Sequence, residues 1–69
     1  MNIGKTIYLL RKEQHITQEE LSFRSGLAPR TITQLENNGT NTRITTLIKV
    51  CKALNIELWE MLREAERID

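Results

Sequence analysis

The chain has 69 residues and a formal net charge of +1, enough for one small domain spanning 1–69 and no second one. One cysteine, Cys51, excludes an internal disulfide, and the single His15 lies too far from it in sequence to suggest a metal site. Asp69 is the only Asp and the last residue, so no Ser-His-Asp arrangement is supported; no catalytic residue, metal or cofactor is expected.

The first helix is predicted from about Ile3 to Gln14, with Ile3, Ile7 and Leu10 on one face and Tyr8 and Leu9 off that stripe. His15 reads as an exposed loop residue. The second helix is predicted from Gln18 to Ser25, with Leu21 inward and the small Ser22 beside it. Thr17 is placed to cap it, and Glu20, three residues later, completes the pattern of a capping box. Gly26 falls where this helix stops and the chain must turn, a position that often requires positive φ. Leu27 is apolar and suited to plug the angle that follows.

Pro29 fits the first turn of a third helix, predicted from Pro29 to Asn37. Ile32 and Leu35 give that helix a buried face, and Arg30, Gln34 and Asn37 fall on the opposite one. Residues 18–37 thus read as a helix-turn-helix with Arg, Gln and Asn on its outer side. Those side chains match base edges in the DNA major groove. A polar loop from Asn38 to Thr42 leads to a fourth helix, predicted from about Ile44 to Leu54. Ile44, Leu47, Ile48, Cys51 and Leu54 mark its buried stripe, and Asn55 ends it. The fifth helix, predicted over about 57–68, carries Leu58, Met61, Leu62, Ala65 and Ile68 at i, i+3, i+4, i+7 and i+10, with Trp59 beside the stripe. No segment alternates as a strand and no repeat stands out, so the fold class is all-α with five helices.

Charge is unevenly placed. Residues 1–56 carry a net +4 and residues 57–69 a net −3, a basic body with an acidic tail. This suits a domain that sets one end on phosphate and holds the other away. No signal peptide and no long apolar run is visible, so a soluble, cytoplasmic protein without a membrane partner is expected.

The sequence resembles the lambda-repressor-like DNA-binding domains, the family of phage repressors, Cro-type proteins and Xre-type regulators. The resemblance spans about residues 3–62. It is carried by Ile7-x-x-Leu10-Arg11, by Ile16-Thr17-Gln18-Glu19-Glu20-Leu21, by Ser25-Gly26-Leu27 and by Ile32-Thr33-x-Leu35-Glu36. Thr46-Leu47-x-Lys49-Val50-Cys51-Lys52-Ala53-Leu54 and Leu58-x-x-Met61-Leu62 complete it. It implies a five-helix domain that binds operator DNA as a dimer, with the third helix in the major groove. It implies a phosphate contact from Gln18, base reading from Arg30 and Gln34, and a pair between Arg11 and Glu36. Residues 36–47 also look like the short controller proteins of restriction–modification systems. Three positions depart from the family pattern: Ala28 at the usual cap of the third helix, Pro29 at a place often polar, and Thr42 where proline is frequent.

Together these observations lead us to expect a non-enzymatic, sequence-specific transcriptional regulator with double-stranded DNA as its partner. Arg30, Gln34, Thr33 and Asn37 are the expected base-reading residues, and Gln18, Thr31, Asn41 and Arg43 the expected phosphate contacts. A homodimer is expected, with Trp59, Leu62, Ala65 and Ile68 at its interface. The alternative is an antitoxin or another protein-interaction module on the same fold; an antitoxin adds a toxin partner.

Overall fold

In the computed structural model, which describes residues 1–38 and 42–68, Asn2 starts the first helix. Its side chain accepts from the Lys5 backbone N–H at 2.9 Å, and its carbonyl accepts from the Thr6 hydroxyl at 2.7 Å. Helix α1 then runs Ile3–Glu13, α2 Gln18–Ser25, α3 Pro29–Asn38, α4 Ile44–Ala53 and α5 Leu58–Arg67. There is no strand among the described residues. Each predicted helix is present, with ends within one residue of expectation. None is long and apolar enough to cross a membrane.

The core draws on every helix. Ile7, Leu21, Ile32, Leu35, Leu47, Val50, Cys51, Leu54 and Met61 are buried, and Ile16 joins them from the first turn. Ile3, Leu10, Leu27, Leu58 and Leu62 pack around the edge. Burial pushes the Cys51 thiol up from its ordinary pKa, and the Glu57 carboxylate pushes it in the same direction.

Two helix stops use the same device. His15 and Asn55 both take the left-handed conformation, each at φ 58°. After α1, the His15 N–H donates to the Lys12 carbonyl and the Ile16 N–H to the Arg11 carbonyl, both at 3.0 Å. After α4, Asn55 donates to Lys52 at 3.1 Å and Ile56 to Cys51 at 3.0 Å. These are paired Schellman bonds, which satisfy the last carbonyls of a helix. Gln14 ties the two stops together: its Nε2 donates to the Leu54 carbonyl at 2.8 Å.

Three expectations need correction. Helix α4 buries Leu47, Val50, Cys51 and Leu54, leaving Ile48 exposed and Ile44 54% exposed. The helix is rotated so that Val50 takes the inward place assigned to Ile48. At α2, Thr17 accepts from the Glu20 N–H at 3.0 Å as expected, but the Glu20 carboxylate turns to Arg24 at 3.0 Å instead of closing a capping box. At α5, Ala65 is 0% exposed and its carbonyl accepts from the Asn2 N–H at 3.0 Å. Ala65 is therefore monomer core rather than available dimer surface; the small methyl lets the start of the chain close over α5.

Candidate nucleic-acid interface

The local sequence fixes the angle of the motif. Gly26 caps α2 in the left-handed region, at φ 75°, and its N–H donates to the Ser22 carbonyl at 3.0 Å. A side chain there would be strained at that φ. The Ser22 hydroxyl donates across the turn to the Leu27 carbonyl, and Leu27 packs on the core edge. Ala28 supplies no side-chain cap, but its carbonyl accepts the first helical bonds of α3, from Thr31 at 2.9 Å and Ile32 at 3.2 Å.

Helix α3 buries Ile32 and Leu35 and exposes Arg30, Thr33, Gln34 and Asn37. Arg30 is in no ion pair among the described residues, so its guanidinium is free to meet an external acceptor. Thr33 has a different position. Its single hydroxyl hydrogen is shared between the Gln18 Oε1 at 3.3 Å and the Pro29 carbonyl at 3.2 Å. Thr31 is half-buried. Arg43 is exposed at the start of α4, where it makes no side-chain cap. Asn41 lies outside the described residues.

Beneath the exposed face runs a polar network. Arg11 is buried and grips Glu36 with two nitrogens, Nε to Oε2 at 2.7 Å and Nη2 to Oε1 at 3.0 Å. Its third nitrogen donates to the Ile16 carbonyl at 2.9 Å. The hydrogen bonds that Arg11 donates to Glu36 hold the guanidinium above its usual pKa, outweighing desolvation. Gln18 Nε2 adds a third donor to Glu36, at 3.0 Å on Oε1. Arg11, Glu36, Gln18 and Thr33 thus form one chain through α1, α3 and α2. It locks α3 against the start of α2. Gln18, expected to reach a phosphate directly, holds this network together with both ends of its amide.

Sequence reasoning missed Gly4. A Cβ there would lie 2.5 Å from the Leu35 carbonyl oxygen and 2.7 Å from that of Glu36. The glycine lets α1 press against the backbone of α3. A glycine inside a helical stripe reads only as a weak helix former; its tertiary reason is invisible in one sequence.

The helix-turn-helix family model matches residues 7–58 of the chain. An uncharacterised HTH-type transcriptional regulator, y4dJ of Sinorhizobium fredii (strain NBRC 101917 / NGR234), is 32% identical over 60 residues, covering 87% of this chain and 78% of the relative. Antitoxin HipB of Escherichia coli K12 is 32% identical over 56 residues, covering 81% of this chain and 64% of HipB. Among solved structures, the wild-type restriction–modification controller protein C.Esp1396I superposes with a TM-score of 0.86 at 26% identity, covering 96% of this chain and 86% of that one. The same controller has also been solved as a nucleoprotein complex. With its helix-turn-helix matched within a family model that spans most of the chain, this protein belongs to the helix-turn-helix family of Xre-type DNA-binding transcriptional regulators.

Proposed function

We propose that the protein binds an inverted-repeat operator as a homodimer and regulates transcription in the manner of a restriction–modification controller. One observation carries this reading: α3 turns Arg30, Gln34 and Asn37 to solvent while its other face is pinned to α1 and α2 through Glu36. A rigid helix with a polar outer face is what major-groove readout requires. Arg30 pairs with guanine O6 and N7, and Gln34 with adenine N6 and N7, each worth about 1–3 kcal/mol of discrimination. Asn37 reads a further base edge, and Thr33 supports Gln18 while flanking the groove. Thr31, Asn41 and Arg43 anchor phosphates. The remaining amide hydrogen of Gln18 is available for the same purpose.

Two copies are needed for useful specificity. A two-fold dimer sets two recognition helices about 34 Å apart, one turn of DNA. Trp59 supplies the anchor: it is 61% exposed on α5, with the Arg63 guanidinium 5.1 Å from its ring centroid. Leu62 on α5 and Ile68 just after it are half-buried, and an open groove lined by both apolar and charged side chains, Ile48, Ile56 and Leu58 with Lys52, Glu57 and Glu60, lies at the α4–α5 turn. Exposed aromatics of this kind are enriched at interface centres.

The reading is tested by titrating the protein against the DNA upstream of its own gene and against random duplex of equal length, across a salt series. A preference for the upstream duplex and a steep loss of affinity with salt are expected. Equal affinity for both duplexes would remove the regulator function. A second reading, an antitoxin that also binds a toxin, is favoured by the likeness to HipB together with the exposed Phe23 and Trp59. A toxin gene beside this one, and a stable complex between the two products, would select it.

A further inference from the structure

Helix α1 carries a basic and aromatic face that the readout scheme above does not use. Lys5, Tyr8 and Lys12 stand at i, i+3 and i+7, and all three are exposed. The Lys12 ammonium lies 5.8 Å from the centre of the Tyr8 ring, and the Arg11 guanidinium 5.4 Å from it. Among the described residues neither lysine is in an ion pair. The only carboxylate nearby on α3, that of Glu36, is already taken by Arg11 and Gln18.

The contacts of α1 show which way this face looks. Gly4 abuts the Leu35 and Glu36 carbonyls and Arg11 grips Glu36, so the edge holding Gly4 and Arg11 faces α3. Ile3, Ile7 and Leu10 lie to one side of that edge, toward the core. At 3.6 residues per turn, Tyr8, Lys12 and Lys5 come next on the other side, past the α3 contact and away from the core. Helix α3 turns Arg30, Gln34 and Asn37 away from the core in the same way. The two exposed faces therefore flank one surface.

We propose that Lys5, Tyr8 and Lys12 form a second phosphate clamp, which grips the backbone of the duplex beside the C-terminal end of α3. The inference rests on the DNA-binding reading. The two ammonium groups neutralise phosphates. The Tyr8 phenol donates a hydrogen bond to a phosphate oxygen, and its ring steadies Lys12 by a cation–π contact. Arg11 is fixed at both ends, to Glu36 and to Ile16, so Tyr8 is in turn placed by the buried network.

The test uses a duplex selected by the wild type from a random pool, labelled for fluorescence anisotropy. Affinity is measured over a salt series for wild type, for Lys5→Gln/Lys12→Gln and for the charge-preserving Lys5→Arg/Lys12→Arg. The slope of log K against log salt is expected to become shallower by about 0.9 for each lysine neutralised. The ratio of selected to random duplex should hold, because phosphates carry no sequence. The arginine variant should keep the wild-type slope. Tyr8→Phe should lower affinity while leaving the slope unchanged, since the phenol is uncharged. Circular dichroism melts of all variants should match wild type, because every altered side chain is exposed. An unchanged slope in the glutamine variant, with wild type binding normally, would overturn the clamp alone. A wild type that binds no duplex would overturn the regulator reading and the clamp with it.

Discussion

Helices α1 and α2 with their turn, and helices α4 and α5 with theirs, share a helix stop and several buried positions at an offset of 40 residues. Ile7 and Leu47 are buried at matching places, as are Leu21 and Met61. Lys12-x-x-His15-Ile16 and Lys52-x-x-Asn55-Ile56 make the same left-handed stop. Gln14 and the residue matching it, Leu54, are hydrogen-bonded to each other. What differs is the cargo. Where the first unit has Gly4, Arg11, Gln18 and Glu19, the second has Ile44, Cys51, Leu58 and Trp59. The first set is polar or small, and Gly4, Arg11 and Gln18 of it hold α3. The second is apolar and leaves Ile44 and Trp59 exposed. One backbone device therefore serves two surfaces: one orients α3, the helix proposed to face DNA, and the other leaves apolar side chains at the surface.

The largest expected effect breaks the difference at Arg11. Glu36→Ala strands a buried guanidinium, and loss of one partner of a buried pair costs about 3–5 kcal/mol. Urea unfolding should show it as a lower midpoint with little change in slope. The double variant Arg11→Met/Glu36→Leu should recover most of the loss, because no buried charge remains. Recovery should be incomplete, since the Ile16 carbonyl loses its donor. If Glu36→Ala unfolded at the wild-type midpoint, the network would not hold α1 to α3.

Next in size is Gly4→Ala. Its Cβ would meet two backbone oxygens that no side-chain movement can relieve, and overpacking of this kind costs about 1–3 kcal/mol. In the matching position of the other unit, Ile44→Ala removes an exposed side chain and should cost far less. Thermal melts of the two variants side by side sharpen the comparison; equal losses would contradict it.

The smallest effects concern the paired stops. An L residue in the left-handed region is strained by roughly 1–2 kcal/mol, less for Asn, whose short polar side chain tolerates it. His15→Gly should therefore stabilise by up to about 1 kcal/mol, and Asn55→Gly by less. Denaturant midpoints of the two variants measure this, and a larger gain at Asn55 would contradict the ordering.

Much of the fold was legible because the apolar periods of all five helices and the Gly26–Pro29 punctuation are local signals. The rotation of α4 was not. Ile44, Leu47, Ile48, Val50 and Cys51 offer more than one apolar stripe, and only packing against α2 and α5 selects Val50 over Ile48. At the candidate site, the outer residues of α3 follow from helical spacing alone, whereas the pairing of Arg11 with Glu36, on different helices, was implied by the family resemblance. The Gln18 and Thr33 bonds were hidden, since they depend on how α2 crosses α3. The correspondence between the two stops was not legible because the segments around them share few identical residues; it lies in left-handed conformation and burial.

The central claim is that the outer face of α3 reads bases while the network behind it fixes its angle. Selection of preferred sites from a random duplex pool, by wild type and by Arg30→Ala at the same salt, tests this most directly. The wild type should yield an inverted repeat, and Arg30→Ala should lose its preference at one base pair of each half-site while keeping the rest. An unchanged preference in Arg30→Ala, or a wild type that selects no motif, would contradict it.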